Sequence, residues 1–164
     1  MTAAPLRLAV GILSKSSYAE RRAACRATWL RGGGVDASVE WSFIVGDPAA
    51  LAVRREGDVL TVPFSDEYAS LSKKTAAWCG WALAQEPAPD VLFKCDDDTF
   101  VVLDRLLAYI RSGDWGEYSG DDLGPAMAAK WGGAAGRGLR GFAAGGGGYL
   151  LSRRAAAWVA EGLR

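Results

Sequence analysis

Short apolar runs alternate with helix-period segments along this chain, and that alternation leaves it few architectures. "LRLAVGILS" (residues 6–14), "SVEWSFIVGD" (38–47), "DVLTVPF" (58–64) and "DVLF" (90–93) are brief, apolar and bounded by turn residues. Such runs read as strands buried on both faces. Pro63 has no amide donor and marks the end of the third run as an edge or a boundary. "SYAERRAACRATWLR" (17–31) puts Tyr18, Arg22, Cys25 and Trp29 on one helical stripe and stops at Gly32–Gly34. "SDEYASLSKKTAAWCGWALAQE" (65–86) reads as the longest helix, capped by Ser65 or Asp66, with Glu67 in its first turn. Tyr68, Leu71, Thr75, Trp78 and Ala82 form its apolar stripe, and Pro87 and Pro89 end it. "FVVLDRLLAYIRSG" (100–113) and "RRAAAWVAEGLR" (153–164) are further helices, and "WGEYSG" (115–120) and "GYLLS" (148–152) further strands. The pattern predicts an α/β layered fold around a largely parallel sheet. Ligands of such sheets bind at the carboxyl ends of the strands.

Composition narrows the chemistry. The 164 residues carry 19 Lys+Arg against 19 Asp+Glu, which fits one domain and gives no basic footprint for nucleic acid. The densest basic cluster, "ERRAACR", has its charges at helical spacing. No run approaches a membrane span, and the first residues lack the basic start and apolar run of a signal peptide, so the chain as it stands is expected to be soluble. Histidine is absent, which removes the commonest general base and metal ligand. Cys25, Cys79 and Cys95 follow no C-x-x-C spacing and sit in apolar surroundings, so they read as buried free thiols rather than zinc ligands. Trp29, Trp78 and Trp81 read as core or helix-packing residues. Many of the 21 glycines fall in "RGGG" (31–34) and "GGAAGRGLRGFAAGGGG" (132–148), either as flexible loops or for close approach to a ligand.

Directly after the fourth apolar run stand Asp96, Asp97 and Asp98. Asp98 can cap the following helix, but capping needs one aspartate, and two more cost repulsion unless a cation offsets them. Asp96 and Asp98 are two apart, so on extended backbone they point to one side and can hold Mn²⁺ or Mg²⁺ through hard oxygen ligands. Such ions are completed by water and substrate phosphates, so a diphosphate-bearing substrate is expected. An EF-hand is excluded, because "DDDTFVVLDRLL" lacks the central Gly. A phosphatase of the haloacid dehalogenase type also places D-x-D after a strand. It usually has Thr or Val where this chain has Phe100, and it uses the first strand, so it stands as the weaker competitor.

Several blocks together resemble one family. "RRAACRATW", with Arg22, Arg26, Thr28 and Trp29, is similar to the R-x-x-x-R-x-T-W opening of the family-31 β-1,3-glycosyltransferases. "EGDVLTVPFSDEYASLSKKT" resembles that family's acidic block at Asp58, Asp66, Tyr68, Leu71, Lys74 and Thr75. "FKCDDDTFV" resembles its D-D-D motif, and Lys130–Trp131 and "AGGGGYLLS" (144–152) resemble its acceptor-side elements. The resemblance implies a GT-A fold, Rossmann-like, in a single domain over residues 1–164. The nucleotide-sugar portion would run to about residue 112 and the acceptor side would start at 113–164. It implies an enzyme that moves galactose or an N-acetylhexosamine from a UDP-sugar to a glycan or glycoprotein hydroxyl. Transfer would invert the sugar, make a β-1,3 linkage and use Mn²⁺. Asp98 would hold the metal with Asp96, Asp96 would face the ribose, and Asp97 would lie beside metal and donor sugar. Arg22, Arg26 and Lys74 would supply positive charge to the nucleotide or the aspartates. Gly145–Gly148, Gly147 among them, and Tyr149 would shape the sugar pocket. Eukaryotic members face the Golgi lumen from a membrane anchor.

Inverting transfer also needs a general base on the acceptor side. The family carries it in an E-D-[VL] motif after the helix that follows "GYLLS", and this chain ends at Arg164, about two-thirds of the way through such a domain. Glu117, Asp121 and Asp122 are the remaining acids there, and none lies in the context of that motif. A donor-binding remnant without turnover is therefore the alternative to a complete transferase.

Overall fold

The computed structural model describes residues 6–31, 38–120 and 146–162. The chain runs β1 (Leu8–Leu13), α1 (Ala19–Ala27), β2 (Val39–Gly46), β3 (Arg54–Glu56), β4 (Val59–Val62), α2 (Leu71–Leu83), β5 (Val91–Asp96) and α3 (Leu103–Ser112). It ends with β6 (Tyr118–Gly120), β7 (Tyr149–Ser152) and α4 (Arg153–Glu161). The strands form one sheet in the order β3-β4-β2-β1-β5-β7-β6. Its centre is parallel: β1 pairs with β2 and β5, and β2 with β4. The two margins are antiparallel, through β3–β4, β5–β7 and β6–β7. A mixed α/β architecture with a largely parallel, Rossmann-like core is what the sequence predicts.

The pleat divides the core in two. Leu8, Val10 and Ile12 of β1 face one layer with Phe43, Phe93, Cys95, Cys25 and Trp29, closed by Leu107 and Ile110 of α3. Ala9 and Leu13 face the other, with Ile44, Leu60, Val62, Leu92 and Trp78, closed by Ala82 of α2 and Ala156 of α4. Every residue of β1 is buried, as a strand covered on both faces requires. Gly11 is dictated by this packing, since a Cβ there would lie 2.5 Å from the Trp78 ring.

Several expected boundaries move. Residues 68–70 form a 3₁₀ turn before α2, so Tyr68 is exposed and the apolar stripe starts at Leu71. Neither Ser65 nor Asp66 caps the helix. Asp98 does not cap α3, which starts five residues later with Val102 in the cap position. Pro63 follows β4 directly, yet β4 is not the edge: β3, a polar strand without apolar alternation, pairs outside it.

All three cysteines are free and buried. Burial raises the Cys25 thiol and pushes Cys79 and Cys95 up to about 12. A maleimide at about pH 8 is therefore expected to label none of them in the folded chain and all three in denaturant, read by intact mass. Labelling of Cys79 or Cys95 in the folded chain would contradict this packing. Among the described residues no helix is long and apolar enough to cross a membrane.

Candidate functional site

The sheet order reverses direction at β1. From β1 the chain moves outward through β2 and β4, then returns through α2 to place β5 on the other side of β1. The carboxyl ends of β1 and β5 thus flank a topological switch point, where open α/β sheets bind ligands. A cleft of about 260 Å³ opens there. Four carboxylates (Asp66, Asp96, Asp97, Asp98) and three cations (Lys15, Arg21, Lys74) line it, with the rings of Tyr18 and Tyr68.

The three aspartates divide unevenly. Asp96 ends β5 and accepts a hydrogen bond at 2.6 Å from Lys94, whose side chain is buried. Spacing of two on extended backbone does put side chains on one side, but the pair it brings together is Lys94 and Asp96. The chain turns after Asp96, where Thr99 N–H bonds to its carbonyl, so Asp98 does not share that register. Asp97 and Asp98 instead share Arg21, whose Nη1 lies 3.2 Å from Asp97 Oδ1 and 3.3 Å from Asp98 Oδ2. The side chain of Asp97 is only 4% exposed, and its Oδ2 is buried with no hydrogen-bond partner among the described residues. Among the described residues no three carboxylates or thiols converge as a ready-made metal cluster. A cation here would have few protein ligands and would be completed by water and phosphate. The site fits that use: it offers hard oxygen donors and one buried carboxylate oxygen without a partner among the described residues.

The other predicted cationic residues are held elsewhere. Arg22 donates to Ser14 Oγ and to the carbonyls of Lys15 and Ser16, fixing the loop between β1 and α1. Arg26 forms a two-pronged bond with Asp58, both arms 2.8 Å, and lies 4.8 Å from the centroid of the Phe43 ring. That hydrogen bond holds the Asp58 carboxyl below its ordinary range. Neither arginine touches the aspartates, which pair with Arg21 and Lys94, two residues that sequence reasoning did not single out. The signal for Arg21 was its place one residue before Arg22 on the same basic helix.

Lys74 does line the cleft, deeply buried, and donates to Asp66 Oδ1 and to the Ser14 carbonyl, each at 2.6 Å. Asp66 also accepts from the amides of Gly46 and Ser16. Burial pushes the Asp66 carboxyl up, but the bonds from Lys74, Ser16 and Gly46 outweigh it and leave the group below its ordinary value. One ion pair therefore ties together the ends of β1 and β2, the loop after β1 and α2.

Glycines 146–148 meet the aspartate turn from β7. The Gly146 carbonyl accepts from Asp96 N–H at 3.2 Å and from Thr99 Oγ1 at 2.7 Å. A Cβ on Gly146 would come within 3.5 Å of Asp96 Oδ2, whereas one on Gly147 would meet none of the described residues. Tyr149 sits opposite Lys94 in the β5–β7 register, and burial raises its hydroxyl pKa. It does not line the aspartate cleft. It lines a larger, mainly apolar groove of about 860 Å³ with Tyr118, Leu151 and Trp158. Glu117 borders that groove too, bonded to Ser152 Oγ and Arg154, and the Ser152 bond first among these holds its carboxyl below the ordinary range. A carboxylate so engaged is a poor general base. Gly145, Lys130–Trp131, Asp121 and Asp122 lie outside the described residues.

Fold and site define an α/β protein with a carboxylate-lined cleft at the switch point of its sheet. The profile of the galactosyltransferase family matches residues 20–120, most of the chain, and the chain belongs to that family. It is similar to the hydroxyproline O-galactosyltransferase GALT2 of Arabidopsis thaliana, 34% identical over 115 residues, which is 65% of this chain and 17% of the relative. It is 30% identical to the human β-1,3-galactosyltransferase 4 over 133 residues, covering 70% of this chain and 35% of that protein. With the human N-acetyllactosaminide β-1,3-N-acetylglucosaminyltransferase 4 it shares 31% identity over 117 residues, 65% of this chain and 31% of the relative. The chain thus spans well under half the length of these relatives. The match leaves the phosphatase alternative without support.

Proposed function

We propose that this chain is the donor-binding part of a GT-A glycosyltransferase that uses a UDP-sugar, galactose or an N-acetylhexosamine, with a divalent cation. The whole protein would transfer the sugar with inversion to a glycan or glycoprotein hydroxyl, as a β-1,3 linkage, and in a eukaryotic parent it would face the Golgi lumen. The observation that carries this reading is the position of Asp96–Asp98: at the switch point of the sheet, in one cleft, with a buried carboxylate oxygen left unsatisfied among the described residues. The names of the relatives agree in reaction type and divide between galactose and N-acetylglucosamine as donor sugar.

In this reading Asp97 and Asp98 hold the cation, since they already share one, and Asp96 joins them where Lys94 releases it. A bound Mn²⁺ or Mg²⁺ would neutralise charge on a departing diphosphate. The exposed ring of Tyr68 offers an apolar face at the rim of the cleft. No described carboxylate is placed to activate an acceptor, so the proposal for these residues is donor binding, and turnover is assigned to the whole protein.

Calorimetric titration with UDP tests it. Binding is expected with Mn²⁺ and not with EDTA, and Asp98→Ala is expected to raise Kd about thirtyfold, the scale of losing one contact to a charged group. Equal UDP binding in Mn²⁺ and EDTA, unaffected by Asp98→Ala, would remove the donor site from this cleft.

A further inference from the structure

We propose that Arg21 is a stand-in cation of this site: it occupies the place between Asp97 and Asp98 that a divalent ion takes, competes with that ion, and when displaced supplies positive charge to the ligand's diphosphate. The proposal rests on the reading of the cleft as a metal and diphosphate site.

The contact geometry distinguishes Arg21 from a structural arginine. Guanidinium favours a two-pronged match to one carboxylate. Arg26 makes that match with Asp58, at 2.8 Å on both arms. Arg21 instead lends one nitrogen to two carboxylates at 3.2 and 3.3 Å. That is how a point charge sits between two anions, and the longer distances leave it the weaker hold. The hold is also incomplete, because Asp97 Oδ2 stays buried beside it, unpartnered among the described residues. A small ion with several open coordination positions satisfies two adjacent carboxylates better than one N–H does.

Arg21 is also free to yield. Its side chain is 46% exposed, and the guanidinium lies 4.3 Å from the centroid of the Tyr18 ring, which lines the same cleft. That aromatic face holds a cation at the rim without a carboxylate. Leaving Asp97 and Asp98 therefore keeps Arg21 within the cleft, where an anionic ligand gains its charge. The prediction is an opposed pair of effects: Arg21 weakens binding of the bare cation and strengthens binding of the anionic ligand.

The test measures Mn²⁺ bound to the whole chain by loss of the free-ion electron paramagnetic resonance signal, with and without UDP. It compares wild type, Arg21→Gln, Arg21→Lys and Lys15→Gln. The last removes an equal charge from the same cleft without touching Asp97 or Asp98. Without UDP, Arg21→Gln is expected to bind Mn²⁺ about fivefold more tightly than wild type, the scale of a partly exposed ion pair. Lys15→Gln is expected to stay within about twofold. With Mn²⁺ saturating, UDP is expected to bind Arg21→Gln more weakly than wild type, and Arg21→Lys to retain most of the affinity. Unchanged Mn²⁺ affinity in Arg21→Gln, or an equal gain in Lys15→Gln, overturns the proposal while leaving the donor site intact if wild type still binds UDP with Mn²⁺. Absence of Mn²⁺ uptake by every variant, with or without UDP, refutes the donor-site reading and this proposal together. Circular dichroism confirms that each variant is folded.

Discussion

Lys74→Met is expected to lower the unfolding free energy by about 3 kcal/mol, because it strands a carboxylate that the fold has partly withdrawn from water. Lys74 is 1% exposed and Asp66 17% exposed at the side chain. Methionine fills much the same volume, so the change removes charge rather than packing. Asp66 keeps the Ser16 and Gly46 amides, which places the loss at the lower end for a broken buried pair. The Ser14 carbonyl also loses its donor. The double variant Lys74→Met with Asp66→Asn is expected to recover about 1 kcal/mol of that loss, since no charge is left unpaired. Urea denaturation of wild type and both variants reads these values; a loss below about 1 kcal/mol for Lys74→Met would show that the pair is not a structural tie. The pH dependence carries a definite sign. The folded state holds Asp66 below the ordinary carboxyl value of 3.8, so its stabilisation is complete above that value. It is lost as pH falls through the lower folded value, and Asp66→Asn is expected to flatten that acid limb of the stability curve. Because the pair also fixes Ser14 and Ser16 at the cleft, UDP affinity should fall in Lys74→Met at temperatures where the chain is still folded.

Gly148→Ala is expected to cost about 3 kcal/mol, while Gly147→Ala, one residue away, should stay within about 0.5 kcal/mol. Gly148 has φ +112°, where an L side chain is strained, and a Cβ there would lie 2.4 Å from Phe93 Cζ and 2.9 Å from the Lys94 carbonyl. Phe93 belongs to the core and Lys94 holds Asp96, so neither yields cheaply. Among the described residues, a Cβ on Gly147 meets no atom within 4 Å. Thermal unfolding followed by circular dichroism separates the two variants, and similar losses in both would place the requirement for glycine in the turn as a whole. The requirement for glycine at 148 thus comes from protein packing.

Much of the fold was legible because burial on both faces leaves a strong local trace. β1, β2, β4 and β5 all appeared as apolar runs, and a polypeptide that buries four such runs needs helices on both sides of them. β3 left no such trace: Arg54, Arg55 and Glu56 are exposed, and the strand exists only because the edge of β4 has free backbone groups. The start of α2 was misplaced for a related reason. The helical stripe extends through Tyr68 in sequence, but Asp66 is occupied by Lys74 and two amides from other elements and cannot cap the helix.

The sequence by itself determined the alternation of strands and helices, the burial of the three cysteines and Trp78, and the placing of three aspartates at a strand's carboxyl end. These follow from side-chain hydrophobicity and local periodicity, which act over a few residues. Only the tertiary structure decided which cation meets which carboxylate. Arg21 and Asp97 are brought together across 76 positions, Arg26 and Asp58 across 32, and Lys74 and Ser14 across 60. Charge complementarity in a sequence states how many partners exist. The pairing itself is fixed by the sheet order, which puts β5 and β2 beside β1 and β4 beside β2, because an ion pair needs contact distance and only the sheet topology supplies it.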